Sequence, residues 1–313
     1  MTHLKKDTVL VVARKYNDIL YALATEEYRS AQKRILLVIT QTLPKDSFPM
    51  LDCFDNVYSI GISGVGISGQ LKLVCEIHKL VSYLKCETIL LSNIVLFSHC
   101  YLIKKSSCTK VVLLEDGLMN YRTDAFDKNM LKEFVLKVMG INRQKITSLI
   151  CSTYLLKPES ATYFFGEKKQ LLLTQLEFDI DDNLGIEGKR IFIGQPLYKN
   201  GFFSLEEYND YVNMCISLYE IDFYFPHLFA DAGERIDCPI LDLSKCKLTL
   251  EALATTYNFT IYSFASSVLF TTRQINPAIE AHMLILPATR SISSFLIYEE
   301  CGVIKEELIL KHK

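Results

Sequence analysis

Four short stretches combine acids, a histidine, serines and glycines in ways suited to group transfer. In Lys110-Val111-Val112-Leu113-Leu114-Glu115-Asp116-Gly117, an apolar run ends in two adjacent acids and a glycine. Successive strand residues point to opposite sides, so Glu115 and Asp116 have different jobs, one facing a ligand and the other fixing the loop. A carboxyl held beside Leu113 and Leu114 can have a raised pKa and serve as a general base. Gly117 lets the chain turn sharply or lets a ligand approach the backbone. The plainer alternative is a loop carboxylate that caps the next helix.

The second stretch, Asp222-Phe223-Tyr224-Phe225-Pro226-His227, delivers a proline and an imidazole to the end of an aromatic strand. There a histidine can donate a proton or partner a phosphate, although a lone histidine is more often structural. In Tyr262-Ser263-Phe264-Ala265-Ser266-Ser267 a strand gives way to serines at a helix start, which either cap the helix or hold a phosphate. The fourth, Phe192-Ile193-Gly194-Gln195-Pro196-Leu197, is a strand and turn in which Gly194 permits close approach of a nucleotide and Gln195 can hydrogen-bond to it. His78 falls in a helical pattern, and His99 and His282 join no recognisable constellation.

Two patterns are set aside. Gly64-Val65-Gly66-Ile67-Ser68-Gly69 satisfies G-x-G-x-x-G, but it follows a later strand and no acid about twenty residues on completes a dinucleotide site. Asp179-Ile180-Asp181 satisfies the Asp-x-Asp pattern of metal-dependent sugar transferases, but it sits in an irregular stretch and reads as a solvated acidic turn. The ten cysteines form no Cys-x-x-Cys pair or zinc-like set. Most lie in apolar runs such as Lys72-Leu73-Val74-Cys75 and read as buried, reduced thiols of a reducing compartment.

The elements that must position these residues alternate between strand and helix. Strands are expected at Thr8–Val12, Arg34–Thr40, Asn56–Ile60, Thr88–Ser92 and Lys110–Leu114, with helices at Asn17–Glu27, Leu71–Leu84 and Leu131–Met139. A less regular segment follows. A second series has strands Arg190–Ile193, Asp222–Phe225, Pro239–Leu241 and Phe259–Tyr262, with helices Leu205–Tyr219 and Thr249–Tyr257. Alternation of this kind implies parallel sheets with ligands at the carboxyl ends of the strands. The chain is expected to be α/β and GT-B-like, with two Rossmann-type domains facing a central cleft. The expected division is an N-terminal domain 1–155, a linker region 156–188 and a C-terminal domain 189–313.

With 313 residues, half of them hydrophobic, the chain can fill two cores. A formal charge of −2 leaves no basic excess for nucleic acid. Met1–Val12 reads as a first strand and not a signal peptide, and no apolar run reaches the roughly 18 residues that cross a bilayer. The expected location is cytoplasmic. Leu308, Ile309 and Leu310 beside Lys305, Lys311 and Lys313 allow a weak peripheral membrane contact.

Glu115-Asp116-Gly117, then His227, then Ser266-Ser267 together resemble the bacterial sialyltransferases of glycosyltransferase family 52 and their polysialyltransferase relatives. Those proteins carry acid-acid-glycine, histidine-proline and paired-serine motifs in that order. Gly194-Gln195-Pro196-Leu197 is similar to the family's strand opening the nucleotide domain. Here His227 is followed by Leu228, with Pro226 before it. The resemblance implies inverting transfer from CMP-sialic acid to a terminal sugar, such as galactose, of a capsule or lipooligosaccharide, with no metal or other cofactor. It implies Glu115 as the favoured base, Asp116 positioning or substituting for it, and His227 acting on the departing CMP phosphate. Ser266 and Ser267 would hold that phosphate, and Gly194, Gln195 and Pro226 would help hold CMP. The implied partners are a CMP-sugar donor and a glycan acceptor. A polysialyltransferase, another nucleotide-sugar transferase, and a non-catalytic sugar- or nucleotide-binding protein of capsule assembly are the competing readings.

Overall fold

A computed structural model describes residues 7–40, 48, 50–61, 66–122, 130–176, 178, 184–227, 230–243, 248–293 and 295–308. The chain divides into two compact units, Met1–Leu176 and Glu177–Lys313. The division falls inside the segment 156–188.

The first unit begins with β1 (Thr8–Ala13), α1 (Tyr16–Leu23), α2 (Glu26–Ser30), β2 (Lys33–Thr40) and β3 (Asn56–Gly61). It continues with α3 (Gly66–Leu80), β4 (Thr88–Leu91), α4 (Phe97–Ser106) and β5 (Lys110–Leu113). It closes with α5 (Met130–Val138), α6 (Arg143–Thr147), β6 (Ile150–Leu155) and β7 (Glu167–Gln170). The strands form one sheet in the order β3-β2-β1-β4-β5-β6-β7, and every pair is parallel. β4 is buried along its whole length, as strands covered on both faces must be. The core gathers Leu10, Ile35, Leu37, Ile89, Leu91 and Val111 against Leu73 and Ile77 of α3 and Leu102 of α4.

The expected helix Asn17–Glu27 is two helices. Thr25 ends the first by capping the second, its hydroxyl accepting from the Tyr28 N–H at 3.3 Å. Cys75 faces solvent, contrary to the buried thiol expected there. On α3 the core-facing residues are Leu73 and Ile77, and a position midway between them turns to the opposite face. Every described cysteine is a free thiol; Cys53 and Cys151 are also exposed, whereas Cys86, Cys100, Cys108, Cys215 and Cys301 are buried.

The second unit contains β8 (Arg190–Ile193), α7 (Leu205–Tyr219), β9 (Phe223–Phe225), α8 (Leu250–Leu253), β10 (Thr260–Ser263) and α9 (Val268–Ile275). It ends with β11 (Glu280–Ile285), α10 (Arg290–Ser293), α11 (Leu296–Glu300) and β12 (Ile304–Glu307). Its sheet, in the order β12-β11-β10-β8-β9, is parallel throughout. Ser204 and Glu207 form a reciprocal capping box that starts α7. Pro239–Leu241, expected as a strand, makes a single bridge from Ile240 to Tyr224, because the Pro239 nitrogen has no hydrogen to donate to a ladder. Phe192, Tyr208, Tyr224 and Phe264 build the aromatic centre of this core.

Each sheet has one point where the strand order reverses. In the first, β1 leads outward through β2 and β3, and β4 returns on the other side of β1. In the second, β9 lies on one side of β8 and β10 on the other. Open parallel sheets bind ligands at the carboxyl edge of that reversal.

Among the described residues no helix is long and apolar enough to cross a membrane. Asp179, Asp181, Leu228, Ile309, Leu310, Lys311 and Lys313 lie outside the described residues, as do Gly64 and Val65 of the glycine-rich pattern.

Candidate active site

Glu115 and Asp116 follow β5 directly, at the carboxyl edge of the first sheet. Glu115 is 0% exposed. Its Oε2 accepts from the Tyr121 hydroxyl at 2.7 Å and the Leu156 N–H at 2.9 Å. This ties the end of β5 to the turn after it and to the end of β6. Its Oε1 has no partner. Burial pushes the carboxyl up to about 7, against the pull of Tyr121, Leu156 and Lys15. Gly117 takes φ +66°, a left-handed backbone that favours glycine, at the point where the chain leaves the sheet.

Asp116 is turned the other way, and 14% of its side chain is exposed. Its Oδ1 accepts from Lys15 Nζ at 2.9 Å and its Oδ2 from Asn93 Nδ2 at 3.0 Å. Its N–H donates to Asn120 Oδ1 at 2.6 Å. Lys15 follows β1 and Asn93 follows β4, so the two strands at the reversal together hold this carboxylate. Burial acts to lower the Lys15 pKa, but the charges of Asp116 and Asp18 outweigh it and raise the pKa above its usual value. Each Asp116 oxygen keeps a lone pair for a further hydrogen bond.

His99 lies beneath the same edge. Its Nδ1 donates to the Asn93 carbonyl at 2.7 Å, fixing the loop that carries Asn93. Burial lowers its pKa to about 4, so the ring is neutral at pH 7. No sequence pattern marked Lys15, Asn93 or His99. Their only signal is position, since Lys15 and Asn93 each stand two residues beyond a central strand.

In the second unit Gly194, Gln195 and Pro196 follow β8, Pro226 and His227 follow β9, and Ser266 and Ser267 lie between β10 and α9. All three loops leave the carboxyl edge around the β8–β10 reversal. Gly194 is packed so closely on the Tyr224 ring that an added Cβ would overlap its hydroxyl. That hydroxyl donates to Glu234 Oε2 at 2.7 Å, and the Tyr198 hydroxyl donates to Glu234 Oε1 at 2.9 Å. The Gln195 N–H donates to the Tyr208 hydroxyl at 3.0 Å. Ser263 donates to the Ile193 carbonyl at 2.9 Å, joining the ends of β10 and β8.

Ser266 is buried, and its Oγ accepts the Val268 N–H at 3.3 Å at the start of α9. His227 is part-buried, and its pKa is lowered by burial and by the nearby Lys199. The set can accept an anion: helix-terminal N–H groups, serine hydroxyls, an imidazole N–H and a lysine. Glu234 and Lys199 carried no sequence signal; the partners of Glu234, Tyr198 and Tyr224, lie on separate segments that only the fold brings together.

Among the described residues no group of three or more His, Cys, Asp or Glu side chains is placed to hold a metal ion.

No protein-family model matches the sequence, and no curated protein matches it. Solved structures do match. A UDP-N-acetylglucosamine 2-epimerase described as putative, from Listeria monocytogenes, aligns with 96% of this chain and 84% of that one, at 12% identity and a TM-score of 0.53. MnaA of S. aureus, solved with UDP, aligns over 91% and 81%, at 13% identity and a TM-score of 0.52. The GT-B domain of a sialyltransferase from Photobacterium damselae aligns over 96% and 100%, at 12% identity and a TM-score of 0.48. What the chain shares with the first two is the fold. It is α/β and GT-B-like, with two Rossmann-type units.

Proposed function

We propose that the protein is a glycosyltransferase using a nucleotide-activated sugar, and that its donor is CMP-sialic acid. One observation carries this reading. Both sheets present chemistry at the carboxyl edge of their reversal, a carboxylate in the first unit and a histidine and serines in the second. A purely binding protein has no use for the first.

In this reading the first unit receives the acceptor and Asp116 takes the proton of its hydroxyl as the oxygen attacks the anomeric carbon. Glu115, enclosed between Tyr121 and Leu156, positions the loop instead of touching substrate. Lys15 and Asn93 hold the Asp116 oxygens in place. The second unit receives CMP. His227, made less basic by burial and Lys199, donates a hydrogen bond to the departing phosphate, and Ser266, Ser267 and the start of α9 share its charge. Gly194 and Gln195 lie against the nucleoside. A single phosphate can be stabilised by such donors without a divalent cation. Attack opposite the leaving CMP gives inversion. The acceptor is a sugar of a bacterial surface glycan, such as a galactose-ended capsule or lipooligosaccharide, reached from the cytoplasm.

The test is incubation with CMP-sialic acid and a galactose-ended acceptor in EDTA. The expected result is CMP release with a sialylated product. Conversion of UDP-N-acetylglucosamine without an acceptor, and no release of CMP, would contradict the reading in favour of epimerase chemistry.

A further inference from the structure

The helix α5 carries apolar side chains on both of its faces. Leu136 is buried in the first core, and Val135 and Met139 pack against that core. Phe134 and Val138, one helical turn apart, fall on the opposite side. They are 63% and 71% exposed. A single exposed apolar residue is ordinary. Two large ones stacked on the outward stripe of one helix form a patch, and such patches mark interaction surfaces.

The charge around this patch is of one sign. α4 packs against both α5 and α6. In sequence these three helices hold Lys104, Lys105, Lys132, Lys137, Arg143 and Lys145 against one acid, Glu133. Lys104, Lys105, Lys137 and Lys145 are exposed, and among the described residues no carboxylate pairs with any of them. Lys104 Nζ donates to the Met139 and Gly140 carbonyls at 3.1 and 2.9 Å, which sets a cation just beyond Val138. In the second unit α7 also exposes two apolar side chains, Met214 and Leu218, but it carries Glu206, Glu207 and Asp210 and no cation. The basic character therefore belongs to the α4–α6 face and not to exposed helices in general.

We infer that α5 rests the first unit on a bilayer of anionic lipids. Phe134 and Val138 enter the boundary between headgroups and acyl chains, and the lysines face the lipid phosphates. Buried apolar area and attraction of lysines to anionic headgroups together hold a peripheral protein on such a surface. A second copy of the chain fits less well. A two-fold contact through α5 would set Lys137 against Lys137, and a contact of α5 with α7 runs head to tail and leaves an open face at each end. The surface is not the C-terminal one expected from sequence, where Leu308 is instead packed into the second unit's core. Membrane contact of this kind is independent of the proposed transfer.

The experiment is cosedimentation of the full chain with vesicles of phosphatidylcholine, or of equal parts phosphatidylcholine and phosphatidylglycerol, at low and high salt. Wild type should bind the anionic vesicles about tenfold or more tightly than the neutral ones, and added salt should erode the preference. Phe134→Gln with Val138→Gln should weaken binding to anionic vesicles about tenfold or more. Lys137→Glu with Lys145→Glu should bring anionic and neutral vesicles close to parity. All four positions are exposed, so both variants should melt as wild type does. Failure of wild type to bind anionic vesicles would overturn the inference, and so would binding that survives unchanged in either variant. Lipid-free oligomers that dissolve on replacing Phe134 and Val138 would also overturn it, in favour of a second copy on this face. The readout needs no turnover, so a failure of the sialyltransferase reading leaves this result separately legible.

Discussion

Glu115 and Asp116 are neighbours in sequence and opposites in environment. Alternation along β5 said that one would face a ligand and one would fix the loop, but not which, and the family resemblance favoured Glu115 as the base. The choice depends on Tyr121 and on the end of β6, which the sequence did not mark as a partner of this loop. The Glu115 carboxyl, raised from 4.5 to about 7 by burial, has a consequence for stability. Between those values the folded chain keeps a proton that the unfolded chain releases, so stability falls as pH rises through that window. Above pH 7 the cost is fully present, on the order of 3 kcal/mol. Glu115→Gln cannot ionise, so relative to wild type its melting temperature should improve from pH 5 to pH 8. Thermal melts at the two pH values check this. At Asp116, replacement by Asn should lower kcat by roughly 10²- to 10⁴-fold, the range for loss of a general base. Steady-state kinetics should show little change in KM for the donor.

The strands flanking the motifs were legible as elements because their apolar runs are short and bounded. β8 and α7 occur with the expected limits, and β1 to β5 each differ by one residue at one end. What escaped was pairing without pattern. β6 and β7 fall in the stretch read as irregular, and β7, Glu-Lys-Lys-Gln, has no apolar residue to mark it. β11 escaped as well, and with it the environment of His282. That ring hydrogen-bonds Glu306 of β12 and stacks on Tyr262 at 4.7 Å between ring centres. Gly194 shows how an element sets a loop: the strand end must pass close to the Tyr224 ring, and only glycine fits. Gly194→Ala should destabilise the protein by about 1–3 kcal/mol through overpacking. Equilibrium denaturation measures that cost directly.

For the whole molecule, parallel sheets were foreseeable from the alternation of strand and helix, whereas the strand order, and with it the place of each reversal, was not. That order is what makes the carboxyl edges meaningful. It puts Lys15, Asn93 and Asp116 just beyond strands adjacent in space though distant in sequence, and does the same for Gly194, His227 and Ser266. If the second unit holds CMP, saturation should stabilise the chain, by about 2.7 kcal/mol at a hundred times Kd. His227→Ala should weaken that effect, as read by thermal unfolding with and without CMP.

The proposed transfer depends on Asp116 in the first unit and on the proposed CMP-binding edge of the second. Its most direct test is the rate of sialyl transfer from CMP-sialic acid in EDTA, for wild type, Asp116→Asn and Glu115→Gln, with folding of each variant checked by melting. The expected result is transfer by wild type, loss of about 10²-fold or more in Asp116→Asn, and a rate within about tenfold of wild type in Glu115→Gln. Full transfer by Asp116→Asn, or no transfer by a folded wild type, would contradict it.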